Sequence, residues 1–365
     1  MRVDRALGVA VVMGMAGVGV VGLVVPASVR AVDPGTTQEQ DASRASDPGA
    51  IKGWQKGKGW GWIWGKDDEV GALNAMTDAS RAAALATAKR GETFDLGMSY
   101  SRRSFKWPGH SPGEIITFRS PDGIDRMNDP DKPPASKNPD KVFWHSAALF
   151  VNDNVATQID GLAHITAGAD YHWYNGFKES EWGGDWGPRK CDATTIPPII
   201  ARGVLIDVAA HKKVDALPGH TVITTGDLRE TLAAQGVSLR PGDVVLVRTG
   251  TGRYWGEDGA DHAKIGEHDS AGPDLEATKW LVEGQGAMMV GSDTSGYEVN
   301  PPPGDPGTTI PVHRYLLVDQ GVHIGEFHYL EGLSKAKAYT FCYIAAINRI
   351  KGTVAGFALR PIAVR

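Results

Sequence analysis

Only two cysteines, Cys191 and Cys342, occur in 365 residues. That scarcity excludes a disulfide-built scaffold and any four-cysteine zinc fold. Cys342 falls in the apolar run Tyr339 to Ala346 and reads as an inert core thiol, whereas Cys191 sits in a polar stretch. A bridge between them in an oxidising compartment is the alternative to the two unpaired, non-catalytic thiols favoured here. A dominant charge is missing too. Against 43 Asp and Glu stand 38 Lys and Arg, and a net charge of -5 gives no footing for nucleic acid or an anionic membrane surface. No internal repeat is visible, and no apolar run long enough to cross a bilayer follows the N-terminus. With 41% hydrophobic and 22% charged residues, the rest has the composition of an ordinary globular enzyme.

The N-terminus differs in kind. Arg2 and Arg5 precede an uncharged apolar run from Ala6 to Val25, Pro26 interrupts it, and Val29-Arg-Ala31 supplies a cleavage-like end. Residues 1–31 therefore read as a secretory signal peptide cleaved after Ala31, with an uncleaved anchor as the rival. Such a protein is secreted, periplasmic or in the cell envelope, and keeps no stable membrane contact once cleaved. Residues 32–50, rich in Asp, Gln, Ser, Thr and Gly without an apolar period, read as a disordered spacer. Residues 51–365 then form a single domain. Within it, Ser111 to Lys141 has many Pro, Asp and Lys residues and is expected to be an irregular excursion near the site.

Strands and helices alternate through the second half of the chain. Gly203 to Val208 and Asp243 to Thr249 are β-branched runs bounded by Gly, as buried strands are. Between them Thr225 is a cap for a helix over 227–235 that Gly236 stops. A helix from Pro273 to Glu283, a strand Ala287 to Gly291 and a helix beginning at Pro311 complete an α/β pattern.

Chemistry concentrates in Asn154-Val-Ala-Thr-Gln-Ile-Asp-Gly-Leu-Ala-His164. If this stretch is extended, Gln158 and Asp160 share a face, and His164 follows one turn later. A carboxylate, an imidazole and two amides at a strand end can hold a metal or move a proton. The plainer alternatives are a turn cap for Asp160 and a structural role for His164.

This segment resembles the signature of the cyclase family of metal-dependent hydrolases, which includes bacterial kynurenine formamidases and isatin hydrolase. The family pattern is H-x-G-T-H-x-D-x-P-x-H. Thr157, Asp160 and His164 match it, while Asn154, Ala156, Gln158 and Leu162 replace its first His, Gly, second His and Pro. His313-Arg-Tyr-Leu-Leu through Glu326 resembles the second metal-site segment of that family, a His on a helix followed by a Glu on the next strand. Trp64 to Asn74, Tyr174 to Phe177, Gly291 to Thr294 and the tail Phe341 to Val364 also fit, so the resemblance runs over roughly residues 54 to 365.

The resemblance implies a swivelling β/β/α fold with a mixed, barrel-like central sheet, and a homo-oligomer. It also implies a divalent metal, Mn or Zn, held by Asp160, His313 and Glu326, with Asn154 and Gln158 at positions where relatives use His. His164 becomes the acid/base residue beside Asp160. Amide oxygens are poor ligands for zinc and suit Mn²⁺, Mg²⁺ or Ca²⁺ better. The implied activity is hydrolysis of a small amide or cyclic amide, of the arylformamidase type known from tryptophan and kynurenine catabolism. A metal-independent lyase or isomerase, and a non-catalytic small-molecule-binding protein, remain the other readings. An ion pair of Glu326 with Arg314 or Arg349, a surface position for His328, His145 as a substitute ligand and Asp293 as support for the site are the remaining expectations.

Overall fold

The structure, a computed structural model, describes residues 53–365 apart from 111–112, 257–260, 267–269 and 305–308. The expected signal peptide at 1–31 and spacer at 32–50 lie outside the described residues. Thirteen strands follow in chain order: β1 (Thr93–Asp95), β2 (Gly113–Arg119), β3 (Ser146–Val151), β4 (Gln158–Asp160), β5 (Ile199–Asp207), β6 (Val222–Ile223), β7 (Val244–Arg248), β8 (Gly272–Pro273), β9 (Met289–Ser292), β10 (His323–Glu326), β11 (Thr340–Ala345), β12 (Ala355–Gly356) and β13 (Ile362–Val364). Nine of them make one mixed sheet in the order β1-β13-β11-β5-β7-β9-β10-β4-β12.

Its centre is parallel, β5 beside β7, β7 beside β9 and β9 beside β10, and antiparallel strands flank it on both sides. β7 and β9 are buried along their whole length, because connecting helices cover a parallel sheet and leave no polar face to alternate with. The large curled α/β sheet expected from the sequence is therefore present. Helix Thr225–Gln235 is capped one residue earlier than expected, by Thr224 and not Thr225: Thr224 accepts from Asp227 N–H while Asp227 reaches back to Thr224 N–H, and Gly236 ends it at φ 67°.

Other expectations shift for identifiable reasons. Pro273 does not open a helix; it ends β8, paired with β6, and Asp274 caps the helix Leu275–Lys279 that follows. The segment expected to be irregular contains β2, a helix Pro121–Arg126 capped by Ser120, and a short turn Ala135–Lys137. β2 pairs with β3 in a separate two-stranded hairpin, a long-range pairing that local composition does not reveal. Among the described residues no helix is long and apolar enough to cross a membrane.

Candidate active site

β4 and β10 run antiparallel with Gln158 opposite Glu326 and Ile324 opposite Asp160. Alternation along β4 and direct pairing across the strands put Gln158, Asp160 and Glu326 on one face. The site is anchored from behind by Thr157, whose hydroxyl accepts from Met98 N–H at 2.8 Å and donates to the Phe327 carbonyl at 2.6 Å. Gly161 follows Asp160 where a Cβ would lie 2.7 Å from the Val354 carbonyl oxygen, so the chain leaves the strand only with glycine there.

His313 comes from the other side. The turn Pro311–His313 runs directly into the π-helical segment Arg314–Gln320, and π segments recur at functional sites. Ile310 precedes it at φ 38°, a strained position for a β-branched residue. Nε2 of His313 lies 3.3 Å from Glu326 Oε1 and 3.9 Å from Asp160 Oδ2, while Nδ1 lies 2.5 Å from Glu298 Oε1. Glu298 also accepts the Val312 and His313 backbone N–H groups, fixing the helix start as well as the ring. One ligand atom each from Asp160, His313 and Glu326 falls within a 4.8 Å group.

The electrostatics follow from that crowding. Burial alone would push His313 down, but the Glu298 and Glu326 carboxylates overcome it and raise the imidazole to about 10. Burial, then repulsion from Asp160, pushes the Glu326 carboxyl up to about 8. Gln158 bridges the acids: its amide nitrogen donates to Glu326 Oε2 at 2.7 Å, Asn154 Oδ1 at 3.1 Å and Asp160 Oδ1 at 3.3 Å. Gln158 Oε1 and Asp160 Oδ2 are buried without a hydrogen-bond partner among the described residues. Unsatisfied acceptors facing a carboxylate pair mark a place for a cation. A half-turn of the Gln158 amide exchanges its oxygen and nitrogen, so the bridging contact and a ligand role use the same side chain. The donor set therefore fits a divalent metal.

The site opens into a cleft of about 310 Å³ lined by Trp107, His110, Asn154, His164, Ile165, Glu298, Ile310, His313 and Glu326, among others. His164 is half-buried, its ring centroid 6.4 Å from that of His313. All six residues expected at the site thus meet: Asn154, His164, His313 and Glu326 on the cleft wall, Gln158 and Asp160 just behind it. Two residues at the site escaped sequence reasoning. Glu298 sits in an unpatterned loop fifteen residues before His313, and His110 in a short turn; only the fold shows either. Burial, and then the charge of His164, pushes His110 down.

Several lesser expectations are corrected. Glu326 bonds to Gln158 and His313 and makes no ion pair with Arg314 or Arg349. His328 is not on the surface: it is fully buried, with Nε2 2.8 Å from the Tyr343 hydroxyl. Asp293, expected beside the site, instead accepts from Thr249, Gly250 and Gly252 and pins the loop after β7. His145 is exposed. The two unpaired thiols favoured from the sequence are found: Cys191 and Cys342 are both free and buried.

The cyclase family model matches residues 94–299, which include β4 and Glu298 but stop short of His313. A solved structure described as a novel cyclase shares 30% identity, with 83% of this chain and 96% of that chain covered and a TM-score of 0.71. Isatin hydrolase A from Ralstonia solanacearum is 20% identical over 79% of this chain and 97% of its own, at a TM-score of 0.55. An isatin hydrolase bound to the product analogue thioisatinate is 18% identical over 80% and 99%, at 0.53. A search of curated protein sequences gives no match. The first two comparisons carry the assignment and the isatin hydrolases share the fold: this chain belongs to the cyclase family.

Proposed function

We propose that this protein is an exported, metal-dependent hydrolase that cleaves the C–N bond of a small amide or cyclic amide, in the manner of an arylformamidase. The observation that carries the reading is a charge imbalance. Three buried carboxylates, Asp160, Glu298 and Glu326, converge on the single imidazole of His313. Uncompensated charge in an interior costs several kcal/mol, and a divalent cation restores the balance. Asp160, His313 and Glu326 would hold it, with the Asn154 and Gln158 amides beside them. Glu298 orients the ring from behind, as carboxylates do for metal-bound histidines. Oxygen-rich donors favour Mn²⁺ over Zn²⁺. When bound, the ion supplies Lewis acidity toward a substrate carbonyl and toward water.

The chain's own groups do the rest. His164 has no hydrogen bond to its ring among the described residues and stands at the cleft wall, so it is free to take a proton from water and return it to the leaving nitrogen. Trp107, Ile165 and Ile310 give the cleft apolar walls that suit an aryl group and limit bulk water. His110, whose imidazole is pushed down by burial, offers a second imidazole to the substrate.

Metal content of protein purified without chelator tests the reading. Stoichiometric manganese, lost together with turnover of N-formyl aryl amines or aryl lactams in Asp160→Ala, is the expected result. The Gln158 amide nitrogen between the two acids favours a second reading, a metal-independent lyase or isomerase. Turnover by metal-free protein would establish it, and specific binding without turnover would make the protein a binding module. Export has its own check: N-terminal sequencing of the secreted protein should begin at Val32, and a chain retained in the membrane with Met1 would indicate an anchor.

A further inference from the structure

We infer that the cleft has an outer, anion-binding subsite built around Arg314, and that the substrate carries a plain acid group on the far side of its aromatic ring. Past His164 the cleft continues into a second cavity of about 550 Å³, and the two share His164, Ile165 and Ile310 as walls. A single backbone turn fixes that junction. Arg314 directly follows His313, and its N–H donates to the Ile310 carbonyl at 3.2 Å. The candidate metal site and the outer cavity are thereby held in a set relation, and one elongated molecule can occupy both.

Charge changes sign along this path. Glu298 and Glu326 line the inner cleft, whereas no carboxylate lines the outer cavity, where Arg314 stands with the Thr166 and Thr309 hydroxyls. Arg314 is exposed, and among the described residues its guanidinium has no hydrogen bond or salt bridge. Burial raises the Asp319 carboxyl and the Arg314 charge draws it back down, yet the two stay outside salt-bridge distance. Asp170, four residues beyond Thr166, is held by His172 at 2.8 Å and Lys178 at 3.4 Å. A guanidinium is a planar fork that matches a carboxylate, and the hydroxyls add donors beside it. An acid group turned inward would instead meet buried carboxylates, where like charges repel strongly. An ammonium finds no free counter-charge in the outer cavity, so an amino-acid arm gains less there than a plain acid. The substrate class rests on the hydrolase reading above; the subsite itself does not.

Three aromatic amines test the subsite without requiring turnover: neutral para-toluidine, anionic para-aminophenylacetate and zwitterionic para-aminophenylalanine. Their affinities for the protein purified without chelator are read by ligand-observed NMR titration. The acid should bind about 10–100-fold more tightly than the neutral amine, the range expected of a charged hydrogen-bonded contact, and more tightly than the zwitterion. Arg314→Met should bring the acid-to-neutral ratio to about one. Arg314→Lys, which keeps the charge and loses the fork, should retain part of it. Equal affinities in the wild type overturn the inference. So does a ratio that survives Arg314→Met, or a zwitterion that binds as well as the acid. The N-formyl derivatives of the same amines separate the two claims: KM should follow the same order, with kcat nearly constant. Discrimination in binding with no turnover of any derivative would support the subsite and overturn the hydrolase reading.

Discussion

Each side chain around His313 makes a different demand on the metal, and the demands can be separated. Glu298 hydrogen-bonds the far nitrogen of the imidazole and the helix start. Glu298→Gln should therefore lower metal affinity about 10–100-fold, the usual effect of losing such an outer partner, as read by titration calorimetry. His164→Asn should leave that affinity unchanged while turnover falls about 10²–10⁴-fold; a parallel loss of metal would make His164 a ligand instead. Gln158 and Asn154 set the choice of ion. Restoring imidazoles with the double change Asn154→His and Gln158→His should shift preference from manganese toward zinc in a competition assay, and an unchanged preference would mean the amides do not face the ion. Asp160 was legible because strand parity is local, and Glu326 because its segment resembles the family's second metal-site segment. The sequence left Glu298 and His110 invisible, because each acts through a neighbour that only the fold supplies.

At the level of elements, β10 separates two environments. Glu326 faces the charged site, and just beyond the strand His328 is sealed against Tyr343. Burial lowers the His328 imidazole from 6.5 to about 4, only partly opposed by its contact with the Glu326 carbonyl. The unfolded chain thus binds a proton below pH 6.5 that the folded chain refuses until about pH 4. This group contributes no pH dependence above that window, and within it stability falls with acidification, by about 3 kcal/mol in total. Urea unfolding at pH 7 and pH 5 should show a smaller acid loss in His328→Asn than in the wild type; equal losses would remove the histidine from the account. Element boundaries were readable where capping chemistry is local: Gly236 ends its helix as expected, and the start is missed by one residue, Thr224 capping in place of Thr225. They failed at Pro273, which a short parallel pairing with β6 draws into a strand. The β2–β3 hairpin was unreadable because its strands are joined by a long polar excursion.

For the whole molecule, the central sheet and the helices that cover it were anticipated from the alternation of buried strands with helices, and the family followed from ordered motifs spread along the chain. What composition could not supply was the geometry by which β4, β10 and the Pro311–His313 turn converge. That convergence links cation binding to folding: an ion bound at a hundred times its dissociation constant adds ~2.7 kcal/mol. Since 1 kcal/mol shifts the midpoint of a domain this large by about 2–4 °C, chelation should lower the thermal midpoint by several degrees. Asp160→Asn should not respond to the chelator, and a wild type equally indifferent would argue that no ion contributes to the fold. The two sealed thiols have a practical outcome. Cys191 and Cys342 are both inaccessible, and burial raises the pKa of each. Alkylating dyes therefore find no target in the native state. Any surface position mutated to cysteine becomes a single addressable label, and dye uptake by the unaltered chain reports global unfolding directly.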